Sequence, residues 1–113
     1  LQAALERVFC GELSLERLVE VVSHAPAQLF QVSGRGYLRE GYAADLVLVD
    51  PQRPHRVSND QVLSKCGWTP FAGTEFSSSI VATFVNGEQV WDGATVNSAV
   101  RGQRLSFNRA TPA

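Results

Sequence analysis

Apolar residues recur at helical spacing through the first third of the chain and at strand spacing afterwards. Leu1, Leu5, Val8 and Phe9 share one helical face, and Gly11 follows as a C-terminal stop. Ser14 stands where an N-cap belongs. After it Leu15, Leu18, Val19 and Val22 form a second stripe, with Glu16, Arg17 and Glu20 on the polar side. Pro26 cannot extend a helix from the residues before it but suits a first turn, so a separate short helix is predicted from Ala27 to Val32, closed by Gly34. These helices are short and amphipathic, and each needs a surface to pack on.

From Arg35 the pattern changes. Gly36 and Gly41 bracket a short extended piece at Tyr37-Leu38, and Leu46-Val47-Leu48-Val49 is apolar on both faces, which predicts a strand covered from both sides. Pro51 and Pro54 end that strand. Residues Val57 to Leu63 read as a strand entering one helical turn, capped by Ser58 or Asn59. Gly67, Pro70 and Gly73 make a loop pinned by Trp68 and Phe71. Ile80 to Val85 and Glu88 to Trp91 read as a hairpin through Asn86-Gly87, and Asp92-Gly93 turns the chain again. Gly102 to Phe107 alternates as a half-buried final strand, and Asn108 to Ala113 reads as a frayed tail. Helices first and strands afterwards, without βαβ alternation, give an α+β class. A few hairpin strands rarely suffice alone, so the half-sheet is expected to want strands from elsewhere. Its open edges are expected to pair with another copy, giving self-association.

Composition narrows the partners. The 113 residues carry a formal net charge of −1, with basic and acidic positions interspersed. Neither nucleic acid nor a membrane surface is expected as a partner, because both need a concentrated basic face. No apolar run approaches the roughly 18 residues of a membrane span. The first residues lack the basic-then-apolar order of a secretory leader, so a cytoplasmic location with Cys10 and Cys66 reduced is expected.

A search for chemistry returns little. His24, His55, Cys10 and Cys66 form no H-x-H, C-x-x-C or H-E-x-x-H pattern, and both histidines read as capping or solvated. Ser23-His24-Ala25-Pro26-Ala27 superficially matches an Asp-His-Ala-Pro-His metal run, but serine and alanine hold the ligand positions, so it is not taken as a metal site. Cys10 reads as core. Cys66 sits beside Lys65, which could lower its pKa, though without a histidine partner nearby in sequence. Asp45 and Asp50 lie about 16 Å apart by strand rise, beyond two-carboxylate catalysis. They are read as acceptors for backbone N–H groups at the turns entering and leaving the strand. The aromatics Trp68, Phe71, Phe76, Phe84, Trp91 and Phe107 lack basic interleaving and read as packing residues.

The runs Gly11-Glu12-Leu13-Ser14-Leu15-Glu16-Arg17-Leu18-Val19, Gly36-Tyr37-Leu38-Arg39-Glu40-Gly41, Ala44-Asp45-Leu46-Val47-Leu48-Val49-Asp50 and Val85-Asn86-Gly87, with Pro26-Ala27, resemble the C-terminal end of the amidohydrolase superfamily. Ser64-Lys65-Cys66-Gly67-Trp68-Thr69-Pro70-Phe71-Ala72-Gly73 is similar to the corresponding loop of dihydroorotases. The resemblance implies a large zinc hydrolase with a (β/α)8 barrel and a small β-sandwich. Residues 1–33 would be the last barrel-side helices and residues 34–113 the C-terminal share of the sandwich. A barrel of that kind takes about 250 residues, more than this chain holds. The family's catalytic and metal-binding groups therefore map onto no residue here: no catalytic, metal-binding or substrate-binding residue is assigned.

The activity implied for the intact parent is interconversion of N-carbamoyl-L-aspartate and dihydroorotate in pyrimidine synthesis. It uses zinc and a small-molecule substrate, and the 113-residue chain alone is expected to be inactive. Two other readings stand beside it: a hydantoinase- or allantoinase-type hydrolase, and a non-catalytic dihydroorotase homologue acting as a structural partner.

Overall fold

Helix α1 (Gln2–Phe9) ends where Gly11 predicts, with Glu12 N–H bonded to Arg7 O at 2.9 Å and Gly11 N–H to Val8 O at 3.0 Å. Ser14 Oγ accepts from Arg17 N at 3.1 Å and starts α2 (Leu15–Val19). A computed structural model gives the architecture and describes residues 1–108; the tail expected at Asn108 to Ala113 lies, beyond Asn108, outside the described residues.

The predicted break before Pro26 is not a break. A π-turn over Glu20–His24 joins α2 to α3 (Ala25–Leu29), with Ala25 N–H reaching back five residues to Glu20 O. Proline lacks an N–H and its ring collides with the carbonyl four residues earlier in an ordinary helix. The wider π-turn changes that spacing, so the chain passes through Pro26 without separating. The helix predicted to run from Ala27 to Val32 therefore begins two residues earlier and stops at Leu29. Gln31 takes the left-handed conformation (φ 56°), while Val32 N–H bonds Ala27 O at 2.8 Å and Gln31 N–H bonds Gln28 O at 3.1 Å.

Five strands follow in two sheets: β1 (Leu46–Asp50), β2 (His55–Arg56), β3 (Glu75–Phe76), β4 (Ser79–Val85) and β5 (Glu88–Trp91). The larger sheet has the order β1-β4-β5, all antiparallel, and the smaller pairs β2 with β3. Asn86 and Gly87 have φ of 51° and 83°, the two positive values a type I′ hairpin requires. The strand expected from Val57 is not formed; the short strand there, His55–Arg56, lies just before it. The helical turn is Asn59–Gln61, and Ser58 caps it with Gln61 in a reciprocal capping box. Tyr37-Leu38 forms no strand, and Gly102 to Phe107 contributes a single bridge, Phe107 to Val32, in place of a full strand.

Long-range polar contacts dock α1 on the strand half. Glu6 Oε1 accepts from Ser77 N at 2.7 Å and Glu6 Oε2 from Ser77 Oγ at 3.0 Å, while Gln2 Nε2 donates to Ser78 O at 2.9 Å. Among the described residues the buried apolar side chains are few: Leu5, Leu18, Ala27, Phe76 and Ala82. Of the predicted α2 stripe only Leu18 is buried, and Leu15, Val19 and Val22 are exposed. Strand β1 is not covered from both sides as its sequence predicts, because Val47 and Leu48, on opposite faces, are each about half exposed. The radius of gyration of 16.2 Å exceeds the roughly 13 Å of a close-packed domain of this length. Apolar faces on this scale mark surfaces built to be covered.

Candidate functional site

A concavity of about 820 Å³ lies between the start of α1, the loop after β1 and the β4–β5 hairpin. Gln2, Arg53, His55, Asp60, Leu63 and Trp91 are among its lining residues. Gln2 Nε2 lies 3.1 Å from His55 Nδ1, so the amide donates to that ring nitrogen and a neutral imidazole carries its proton on Nε2. Ser79 also lines the cleft, but its Oγ donates to Arg53 O at 2.7 Å. The cleft thus presents an amide, a guanidinium, an imidazole and a carboxylate over an apolar wall. No hydroxyl or thiol in it is paired with a base, so it can hold a polar molecule but carries no nucleophilic machinery.

A second polar cluster lies where the helical half meets the sheet. Arg35 Nη1 donates to Asp45 Oδ2 and Arg35 Nη2 donates to Asn86 Oδ1 at 2.8 Å; Asp45 Oδ1 accepts from Asn86 N at 2.8 Å. Asp45 was expected to cap the turn entering its own strand, and it instead holds the hairpin turn 41 residues away. The reason is register: Leu46 lies opposite Phe84, so the residue before β1 meets the turn after β4. Asp50 does cap its own turn, accepting from Gln52 N at 2.9 Å. The two aspartates are spent at opposite ends of the strand. Beside Arg35, Gly36 lies against the helix so closely that an added Cβ would sit 2.4 Å from Ala27 Cβ and 2.8 Å from Ser23 O.

His24 is neither a cap nor a solvated side chain, because its ring stacks on Tyr37 at 4.2 Å and 7°. Arg39 also lies over the Tyr37 ring at 4.2 Å. Ser23 O, in the run set aside as a metal site, is the carbonyl Gly36 approaches. His55 belongs to β2, half-buried beside Phe76. Among the described residues no three His, Cys, Asp or Glu side chains gather where a metal ion could be held.

The Ser58–Gly73 loop is fastened by backbone and polar contacts more than by aromatics. Asn59 Oδ1 accepts from Thr69 N at 3.1 Å, and Gly73 N–H bonds Val57 O at 2.8 Å. Phe71 does pack, 5.7 Å from Phe76, but Trp68 is 60% exposed. Cys10, expected in the core, is exposed because α1 stops at Phe9 and leaves it in the turn.

The thiol of Cys66 is held below its ordinary pKa, chiefly by the Ser64 hydroxyl 2.8 Å away and then by a backbone contact to Trp68. The neighbouring Lys65, the sequence-based reason for such a shift, is not among the causes. A lowered pKa enlarges the thiolate fraction at neutral pH. Cys66 is therefore expected to be alkylated by iodoacetamide from a lower pH than a free thiol in a short peptide, and Ser64→Ala should move its midpoint upward. A pH series of mass-mapped labelling in which Ser64→Ala leaves the Cys66 profile unchanged would contradict this.

The long-range partners Gln2, Glu6 and Arg35 left no local signature in the sequence, since each meets residues 10 to 76 positions away.

Comparison with known proteins matches the family model described as "Amidohydrolase family" over residues 2–90. A dihydroorotase of Halobacterium salinarum is 42% identical over 88 residues, 78% of this chain and 21% of that protein. A dihydroorotase of Endomicrobium trichonymphae is 35% identical over 86 residues, 76% of this chain and 20% of that protein. Among solved structures, an L-hydantoinase (dihydropyrimidinase) from Arthrobacter aurescens superposes with a TM-score of 0.74 at 38% identity, over 79% of this chain and 20% of that one. The chain spans about a fifth of the length of the curated relatives it matches. With a family model matched across most of its length, and a fold shared with a solved hydantoinase, the chain belongs to the amidohydrolase family.

Proposed function

We propose that this chain is the C-terminal portion of a dihydroorotase-type cyclic amidohydrolase, an enzyme that interconverts N-carbamoyl-L-aspartate and dihydroorotate. The carrying observation is the 42% identity to a dihydroorotase over 88 residues. In this reading residues 1–33 are the last helices of a (β/α)8 barrel, and residues 34–113 are the C-terminal share of a composite β-sandwich. The sparse core and uncovered sheet support it, because both are what a piece of a larger packed unit presents.

The reading places zinc and the catalytic groups on residues outside this chain. The chain's own residues do not fit a metal site, since no three potential ligands converge among those described. Its contribution is architectural: Arg35, Asp45 and Asn86 fix the sheet against the helical half. The proposed location is cytoplasmic. Among the described residues no helix is long and apolar enough to cross a membrane.

A hydantoinase-type substrate is the second reading, favoured by the 38% identity and close superposition with the L-hydantoinase. Steady-state assay of a polypeptide carrying this segment with its upstream barrel separates them. Turnover of dihydroorotate well above that of hydantoin or dihydrouracil is expected. Turnover of hydantoin without dihydroorotate would reverse the order of the two readings, and hydrolysis of neither would favour a non-catalytic homologue.

A further inference from the structure

An asparagine followed by glycine can modify itself, because glycine has no side chain to keep the asparagine amide from the next main-chain nitrogen. Asn86-Gly87 is the one such pair in the sequence. In the folded chain each atom of that reaction is engaged or enclosed. The Gly87 N–H, whose nitrogen would attack, donates to Ala44 O at 2.9 Å. Asn86 Oδ1 accepts from Arg35 Nη2 at 2.8 Å; a guanidinium only donates, so the oxygen faces Arg35 and the amide nitrogen is turned away. That nitrogen, Nδ2, is buried and has no hydrogen-bond partner among the described residues. Asn86 N–H donates to Asp45 Oδ1 at 2.8 Å and Asp45 is paired with Arg35, so one clamp holds both the main chain and the side chain of Asn86.

We propose that Asn86-Gly87 is a fold-gated deamidation site, held shut by Arg35 and Ala44 O and opened when the hairpin turn lifts off the helical half. With Gly87 N–H released from Ala44, its nitrogen attacks Asn86 Cγ. A C–N bond forms and the Cγ–Nδ2 bond breaks. The proton lost from Gly87 N passes through water to Nδ2, which leaves as ammonia. Water then opens the succinimide at either carbonyl, giving aspartate or isoaspartate; no oxidant or cofactor is needed. Both products undo the clamp. Aspartate puts a carboxylate oxygen in the buried position of Nδ2, beside Asp45 and under one guanidinium. Isoaspartate routes the main chain through the former side chain and adds a carbon that a two-residue turn cannot take up without losing its register. Opening is reversible, whereas the modification it admits is not. The inference concerns this hairpin and is independent of which cyclic amide the parent hydrolyses.

Timed incubation in mildly alkaline buffer tests it, with peptide mapping that separates asparaginyl, aspartyl and isoaspartyl forms and with amide exchange of Gly87 read under the same conditions. Deamidation at Asn86 should be about tenfold or more slower in buffer than in denaturing guanidinium chloride, where the turn is always open. Arg35→Ala should speed Gly87 exchange and Asn86 deamidation by similar factors, since both proceed from the opened turn. Asn86→Asp, the first product made directly, should lower the denaturation midpoint. Equal deamidation with and without denaturant, or an Arg35→Ala chain whose Gly87 exchanges faster while Asn86 deamidates no faster, would overturn the proposal. If Arg35→Ala fails to fold by circular dichroism, the unaltered chain in a denaturant series still decides: deamidation that does not follow Gly87 exchange overturns it.

Discussion

Gly36→Ala is expected to destabilise the chain by about 3 kcal/mol or more, the largest loss from removing no existing contact. Two effects add. Gly36 has φ +82°, where a side chain costs about 1–2 kcal/mol. The new Cβ would also lie 2.4 Å from Ala27 Cβ and 2.8 Å from the backbone oxygen of Ser23. Neither neighbour can swing aside, one being a methyl fixed to a helix and the other main chain, so the segment must lift off the helix. Gly41→Ala is the control: φ is +79°, with nothing within 4 Å of the added carbon. Its cost should be the conformational part alone. Urea unfolding of both variants checks this, and equal losses would show that the close approach at Gly36 carries no energy.

Removing the Arg35 side chain is expected to cost about 2 kcal/mol, the scale of lost charge-assisted hydrogen bonds at a largely buried site. Arg35 is 16% exposed and its fork reaches two acceptors, Asp45 and Asn86, from two different nitrogens. Lysine keeps the charge but not the fork, so Arg35→Lys should recover part of the stability. A double-mutant cycle of Arg35→Ala with Asn86→Ala should show coupling, because the pair shares a hydrogen bond. Additive losses would mean that the hairpin turn is held without Arg35. The same variants should loosen the β4–β5 hairpin relative to α3, readable as faster amide exchange at Asn86 and Gly87.

Local chemistry was legible in the sequence where the cause is local. The Ser14 cap, the Gly11 stop, the Asn86-Gly87 hairpin and the Asp50 turn each depend on residues within a few positions, and each stands where the pattern puts it. The α2–α3 junction was not legible, because proline rules describe an ordinary helix and a π-turn relaxes the geometry they assume. The apolar run Leu46 to Val49 was read correctly as a strand and wrongly as covered. Periodicity reports which residues seek burial and says nothing about whether the burying partner is in the same chain. Arg35, Gln2 and Glu6 escaped notice for a related reason: a surface-type residue becomes a structural tie only when the fold brings a distant acceptor to it. The candidate site followed the same division. The sequence spacing offered no motif to point at a site, and the cleft beside His55 exists only because α1 folds back on β2 and β3.

The central claim is that this segment carries architecture and family identity while the chemistry resides elsewhere in the parent polypeptide. Zinc titration with parallel assay of cyclic-amide hydrolysis, on the 113-residue chain and on a polypeptide extended upstream through the barrel, tests it most directly. The account predicts no stoichiometric zinc and no turnover from the 113 residues, with both present in the extended polypeptide. Tight one-to-one zinc binding accompanied by hydrolysis in the 113-residue chain alone would contradict it.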